Sequence, residues 1–118
     1  MSLLSKNEIK NQLDSLDSWI YENNAIKKEY IFESYMDSIH FINLLAEEAE
    51  KNNHHPDMIV GWCKINLLFT SHDHGGVTKA CTTMAQEADK IFSGKIFLDP
   101  WIIDAQTNDL MMSPTRKG

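Results

Sequence analysis

The sequence has little of what would divide a chain, cross-link it or anchor it in a membrane. Its 118 residues include only 5 glycines and 3 prolines, with no repeat or low-complexity run. We therefore predict one domain over residues 1–118, with a loosely ordered C-terminal tail from about residue 104.

The two cysteines, Cys63 and Cys81, lack CxxC spacing, which favours free thiols in a reducing cytoplasm. No apolar stretch approaches the roughly 20 residues that span a bilayer, and the N-terminus lacks an apolar signal-peptide core, so we expect no membrane anchor and no export.

Positive charge is also scarce. Eleven Lys plus Arg against seventeen Asp plus Glu give a formal net charge of -6. Binding to a phosphate backbone needs clustered cations, and the only basic pairs are Lys27-Lys28 and Arg116-Lys117. We therefore expect no direct nucleic acid partner and no attraction to an anionic membrane surface. Hydrophobic residues make up 42% of the chain and charged residues 24%, which is ordinary for a compact globular domain.

Local signals predict a helix followed by a hairpin at the start of the chain. Ser5 and Glu8 have the spacing of a capping box, and apolar residues follow at helical spacing. Two strand-like runs, 19–21 and 25–32, flank Asn23-Asn24. Asparagine tolerates the left-handed backbone of a tight turn, so these runs predict a β-hairpin.

After the hairpin, the sequence predicts a second helix, a further stretch of strands and a last helix. A long helix should begin after Ser34 as its N-cap and end near Asn52-Asn53. Residues 58–71 suit strands, because apolar and polar side chains alternate through much of this stretch. Thr78 can cap a last long helix, for which Gly94 is a plausible end. Amphipathic helices of this kind need a sheet to cover, so we predict an α+β fold: a four-stranded antiparallel sheet with helices packed on one face.

The strongest chemical signal is a cluster of histidines. Four of the five lie within 21 residues: His54, His55, His72 and His74. The first pair follows the predicted second helix and the second pair follows a predicted strand, so both pairs fall where loops can converge on a cleft. Imidazole titrates near pH 6.5, and two or three such groups can hold an acid and a base together at neutral pH. The cluster indicates a site for proton transfer without a cofactor.

The residues alone leave other interpretations open. The histidines could be polar loop residues with no shared role. His72 and His74 form an HxH pair with Asp57 and Asp73 nearby in sequence, which could be part of a metal site. A nucleophilic pair of Cys81 with His72 or His74 is a weaker hypothesis, because Cys81 also fits the apolar stripe of the last helix.

A few further residues have both a structural and a functional interpretation. Glu50 lies about one helical turn before His54 and could orient an imidazole. Trp19 and Trp62 are more typical of a core or sheet, although either could lie under a flat heteroaromatic ring. His40 is expected to be a solvated residue of the second helix.

The spacing of these residues resembles the signature of the pterin-4a-carbinolamine dehydratase family. Glu50 is followed after three residues by His54-His55-Pro56, then by Trp62 six residues after the proline and His72 ten residues after the tryptophan. The likeness extends over about residues 19–91. It includes 70–73, Thr-Ser-His-Asp, and 75–78, Gly-Gly-Val-Thr.

This resemblance implies a hydro-lyase, a 4a-hydroxytetrahydrobiopterin dehydratase, that acts in pterin cofactor recycling. Such an enzyme removes water from a 4a-hydroxytetrahydropterin to give the quinonoid dihydropterin, and needs no metal or redox cofactor. The resemblance implies a homodimer or homotetramer whose partner is a small-molecule pterin. Its implied catalytic residues are His54, His55 and His72, its supporting residue is Glu50, and its substrate-binding residues are Asn53, Thr70, Ser71 and Asp73.

One departure from the family pattern bears on this expectation. Family members often carry Arg-Asp shortly after the glycine-rich turn, where this chain has Ala80-Cys81. A charged pair expected near the cleft is therefore missing. The alternative function is a non-catalytic binding or assembly module of the same family, because animal relatives stabilise dimers of a homeodomain transcription factor and other relatives are linked to protein assembly.

Overall fold

The structure is a computed structural model, and it describes residues 2–94. Three helices and four strands follow one another in the predicted order. Their bounds are α1 (Lys6–Asp14), β1 (Ile20–Glu22), β2 (Ala25–Ile31), α2 (Tyr35–Asn52), β3 (Asp57–Val60), β4 (Lys64–Phe69) and α3 (Lys79–Gly94).

Short-range interactions determine where these elements begin. In the capping box before α1, the Ser5 hydroxyl accepts from the Glu8 N–H and the Glu8 carboxylate accepts from the Ser5 N–H. Ser34 caps α2 by accepting from the Asp37 N–H at 3.1 Å. The predictions for both helix starts are confirmed.

The strands form one antiparallel sheet in the order β1-β2-β4-β3. Side chains alternate between its faces, so Ile26, Tyr30, Ile65, Leu67 and Phe69 lie on one face and are buried. This face forms the hydrophobic core together with residues of α2 and α3, including Phe41, Leu45, Met84 and Ala88. The predicted α+β fold, with helices covering one face of a four-stranded antiparallel sheet, is confirmed.

The opposite face and the two edges of the sheet carry several exposed apolar side chains. Ile59 of the edge strand β3 is 73% exposed, and Ile20 and Ile31 are also exposed. The predicted C-terminal tail from about residue 104 lies outside the described residues. None of the helices in residues 2–94 is both long and apolar enough to cross a membrane.

Candidate active site

A cavity of about 440 Å³ lies where the loop after α2 meets the loop after β4. These two loops are far apart in sequence, and the pairing of β4 with β3 and the packing of α2 beside α3 bring them together. The cavity is lined by Asn52, Asn53, His54, His55, Thr70, Ser71, His72, Asp73, His74 and Ala80. The structure thus places all of the predicted catalytic and substrate-binding residues around one cavity.

The C-terminus of α2 directs the first histidine pair into this cavity. Asn53 adopts the left-handed conformation, with φ of 50° and ψ of 42°. The His54 N–H donates to the Ala49 carbonyl and the Asn53 N–H donates to the Glu50 carbonyl, which is the bonding pattern of a Schellman motif. The left-handed residue ends α2, and His54 and His55 follow it in the loop that lines the cavity.

His54 is the most enclosed of the cavity histidines. Its ring stacks on Phe69, with ring centroids 6.1 Å apart and planes 17° apart. Its Nε2 atom lies 3.3 Å from Sγ of Cys81. Burial lowers the pKa of His54, and the charges of His55 and His72 lower it further. His54 is therefore neutral at pH 7.

Carboxylates lie beside the two exposed catalytic candidates. Glu50 Oε2 is 2.5 Å from Nε2 of His55, so the carboxylate predicted to orient an imidazole contacts His55. Asp57 Oδ2 is 3.8 Å from Nε2 of His72, and both of these side chains are mostly exposed. Each imidazole thus has a carboxylate that can favour a proton on Nε2.

The loop after β4 is held by its own hydrogen bonds. The Ser71 N–H donates to the Gly76 carbonyl at 2.8 Å, and the Ser71 carbonyl accepts from His74 and Gly75. Gly75 has φ of +73°, a conformation that most other residues adopt only at a cost. These bonds fix the positions from which His72, Asp73 and His74 project.

Two predicted substrate-binding side chains are already bonded within the protein. The Thr70 hydroxyl donates to the Asn24 carbonyl at 2.7 Å. The Ser71 hydroxyl is buried and lies 2.7 Å from the Thr78 hydroxyl. Both residues line the cavity, but their hydroxyl groups hold the loop in place.

Several sequence-based interpretations do not match this geometry. Trp62 is 81% exposed in the β3–β4 connection, so it is neither a core residue nor part of the cavity lining, whereas Trp19 belongs to the core. His40 is half-buried in α2 rather than fully solvated. Cys81 contacts His54, not His72 or His74. Each of these outcomes depends on tertiary packing that local patterns do not encode.

The metal hypothesis finds no ligand set in the described part of the chain. Within residues 2–94, no group of three or more His, Cys, Asp or Glu side chains is arranged to hold a metal ion. His72 and Asp57 are close to each other, and His74 lines the same cavity as His72.

Sequence reasoning missed three features of the site. Asn52 and Ala80 line the cavity, and Cys81 lies behind His54. The family pattern could have pointed to Ala80 and Cys81, because it places a charged pair near the cleft at these two positions. Nothing in the local sequence singles out Asn52.

Fold and site together define a small α+β protein with a histidine-lined cavity suited to acid–base chemistry. Residues 2–91 match the family model described as pterin 4 alpha carbinolamine dehydratase. The chain therefore belongs to the pterin-4a-carbinolamine dehydratase family.

Individual relatives agree with this assignment. A protein of Sulfolobus acidocaldarius with the provisional name pterin-4-alpha-carbinolamine dehydratase is 35% identical over 88 residues, which cover 75% of this chain and 97% of the relative. A protein of Prochlorococcus marinus with the same provisional name is 34% identical over 93 residues, covering 79% and 98% of the two chains.

Solved structures show the same fold. The chain resembles a transcriptional coactivator/pterin dehydratase from Brucella melitensis with a TM-score of 0.75 and 26% identity, covering 76% of this chain and 98% of that one. A pterin dehydratase-like protein identified as a RuBisCO assembly factor in the alpha-carboxysome aligns with a TM-score of 0.56 at 22% identity over 64% of this chain and 90% of that one. The second likeness concerns the fold alone.

Proposed function

We propose that this protein is a hydro-lyase that dehydrates a 4a-hydroxytetrahydropterin to the quinonoid dihydropterin by histidine acid–base catalysis, in pterin cofactor recycling. The observation that carries the proposal is the convergence of His54, His55 and His72 on one cavity in a member of the pterin-4a-carbinolamine dehydratase family. The physiological pterin is the small-molecule partner.

The reaction requires one proton to reach the departing 4a-hydroxyl group and one to leave a ring nitrogen. His54 and His72 carry these transfers, and His55 serves as a binding group or auxiliary base oriented by Glu50. Asn53 and Asp73 meet the ligand, while Thr70 and Ser71 contribute through the loop that they hold. The lowered pKa of His54 supports its role as a group that is neutral when the substrate arrives.

The test is the decay of chemically generated 4a-hydroxytetrahydropterin, followed by stopped-flow absorbance. The double variant His54→Ala/His72→Ala should lose turnover and keep its fold, because both proton transfers lose their side chains. His40→Gln is the matched control, since His40 does not line the cavity, and it should keep turnover. Full activity in a folded double variant would overturn the proton-transfer assignment.

We further propose that the protein is a homodimer or homotetramer in the cytoplasm, where Cys63 and Cys81 remain free thiols. The exposed apolar residues of the open sheet face, the β3 edge and the β3–β4 connection support self-association, with Ile59 and Trp62 the most exposed of them. Sedimentation should give an assembly larger than the 13.6 kDa chain. A monomer at micromolar concentration would contradict this expectation.

The second candidate is a non-catalytic binding or assembly module. The same exposed surface favours it, as does Ala80-Cys81 in place of the charged pair of the family pattern. A protein that fails to accelerate carbinolamine decay but forms a defined complex would support this candidate over the enzyme.

A further inference from the structure

Cys81 lies against His54 and is not among the residues that line the cavity. Its sulfur is 3.3 Å from Nε2 of His54, and the residue is fully buried. It occupies the first turn of α3, a rigid element that packs against α2. The contact therefore joins the N-terminal end of α3 to the loop that follows α2.

The hydrogen bonds around this sulfur indicate which atom carries the shared proton. Sγ accepts from the Thr78 N–H at 3.5 Å. The thiol proton has three acceptors within reach: Nε2 of His54 at 3.3 Å, the Ser71 hydroxyl at 3.6 Å and the Thr78 hydroxyl at 3.9 Å. The two hydroxyl groups already bond to each other at 2.7 Å. Imidazole nitrogen is thus both the nearest acceptor and the most basic one.

The other ring nitrogen, Nδ1, belongs to a side chain that lines the cavity. Within residues 2–94 it has no hydrogen-bond partner, and it is not among the side-chain atoms that are closed off from solvent. The stacking on Phe69 fixes the plane of the ring. We infer that Cys81 is a positioning residue that donates its thiol proton to Nε2 and so holds neutral His54 as the Nδ1–H tautomer, with an N–H presented to the cavity.

This inference rests on the proposed function and makes His54 the general acid of that reaction. The Nδ1–H bond breaks as its proton passes to the departing 4a-hydroxyl group, which leaves as water. The S–H bond of Cys81 breaks in the same step and an Nε2–H bond forms, so His54 remains neutral and Cys81 becomes a thiolate. That thiolate accepts from the Thr78 N–H at the N-terminus of α3, where negative charge is favoured.

His72 is the general base of the reaction. It takes the proton released by the pterin ring nitrogen and becomes an imidazolium near Asp57. His72 then releases that proton to solvent, and solvent returns one proton to the pair formed by Cys81 and His54. Atoms and charge balance over the cycle without a co-reactant. A neutral imidazole is a poor acid by itself, and the thiol behind it supplies the replacement proton.

Two-bond 1H–15N correlation spectra of the 15N-labelled full chain test the tautomer directly, because they distinguish a protonated ring nitrogen from a bare one. At neutral pH, His54 should show a protonated Nδ1 and a bare Nε2. Cys81→Ser, which keeps a donor at this position, should retain this tautomer, and Cys81→Ala should lose it. A wild-type spectrum with the proton on Nε2 would overturn the inference, even if the alanine variant does not fold.

Kinetics then separate a positioning role from a structural one. Cys81→Ala should lower kcat about tenfold to 100-fold with KM nearly unchanged, because the lost interaction acts on proton transfer rather than on binding. Cys81→Ser should keep the tautomer but recover little of that loss, because an alcohol gives up its proton far less readily than a thiol. Cys63→Ala is the matched control that should match wild type. If the wild-type protein has no turnover, the proposed function fails, while the spectra still decide the tautomer. Turnover that is unchanged in a folded Cys81→Ala variant would overturn the role of Cys81 alone.

Discussion

His54 differs from the other cavity histidines in its surroundings. Phe69 covers one face of its ring and Cys81 lies against its inner edge, whereas His55, His72 and His74 are exposed. Removing an imidazole from water disfavours its charged form, and nearby imidazolium groups add to this effect. A single site thus contains one histidine that stays neutral and others that remain in contact with solvent.

The lowered pKa of His54 makes the stability of the protein depend on pH. The unfolded chain has a histidine pKa near 6.5, above the folded value, so it binds more protons between the two pKa values. The free energy of unfolding should therefore fall as the pH decreases below 6.5 and level off below the folded pKa of His54. Urea denaturation at several pH values from about 7.5 to 5 measures this change.

His54→Gln should flatten the pH dependence in that window, because glutamine does not titrate. His74→Gln, at another cavity histidine, should leave it in place. The same slope in His54→Gln as in the wild-type protein would show that His54 is not the titrating group.

At the scale of single elements, local sequence signals were sufficient. The capping box of α1, the Ser34 cap and the hairpin follow from residues within a few positions of one another, and all three are confirmed. The contact between His54 and Cys81 spans 27 positions and follows from the packing of α3. Alternation and spacing could not predict it, and for the same reason they could not predict that Trp62 faces solvent.

The β1–β2 hairpin depends on the backbone of its turn. Asn23 and Asn24 have φ of 53° and 62°, in the left-handed region that two-residue hairpin turns require. Asn24→Val should reduce the free energy of unfolding by about 1–2 kcal/mol, because a β-branched residue is strained there. Urea denaturation gives this difference.

Asn24→Gly is the matched control for this substitution. It removes the same side chain, including the acceptor for the Tyr21 hydroxyl, but glycine adopts the left-handed region freely. It should lose much less stability than the valine variant. Equal losses would assign the effect to the side-chain contact rather than to the backbone.

At the scale of the whole molecule, one carboxylate joins segments from both ends of the described chain. Asp89 of α3 accepts from Trp19 Nε1 at 3.1 Å, from Lys28 Nζ at 2.9 Å and from the Tyr30 hydroxyl. Burial, together with this carboxylate, raises the pKa of Tyr30, so its hydroxyl remains a donor. The network joins α3, the helix that carries Cys81, to the sheet.

Asp89→Ala should reduce the free energy of unfolding by about 3 kcal/mol, because it leaves a half-buried ammonium group and a buried hydroxyl without their acceptor. Asp14→Ala is the control. It removes an exposed pair with Lys10 and should cost less than about 1 kcal/mol. Chemical denaturation of both variants measures the difference, and a similar small loss in each would contradict the role given to Asp89.

The fold therefore follows from patterns along the chain, while the site follows from how helices and strands pack. The histidine spacing predicted which residues lie around the cavity. Glu50 was predicted to lie near an imidazole because it precedes His54 by about one helical turn, and it contacts His55. Which imidazole it meets, and which side chain lies against Nε2 of His54, could not be predicted from the sequence pattern.

The most direct test of the central claim is the decay of 4a-hydroxytetrahydropterin with and without the wild-type protein, measured by stopped-flow absorbance. The account predicts that catalytic amounts of protein accelerate conversion to the quinonoid dihydropterin. Decay at the uncatalysed rate in the presence of folded protein would contradict the claim that this histidine-lined cavity is a dehydratase active site.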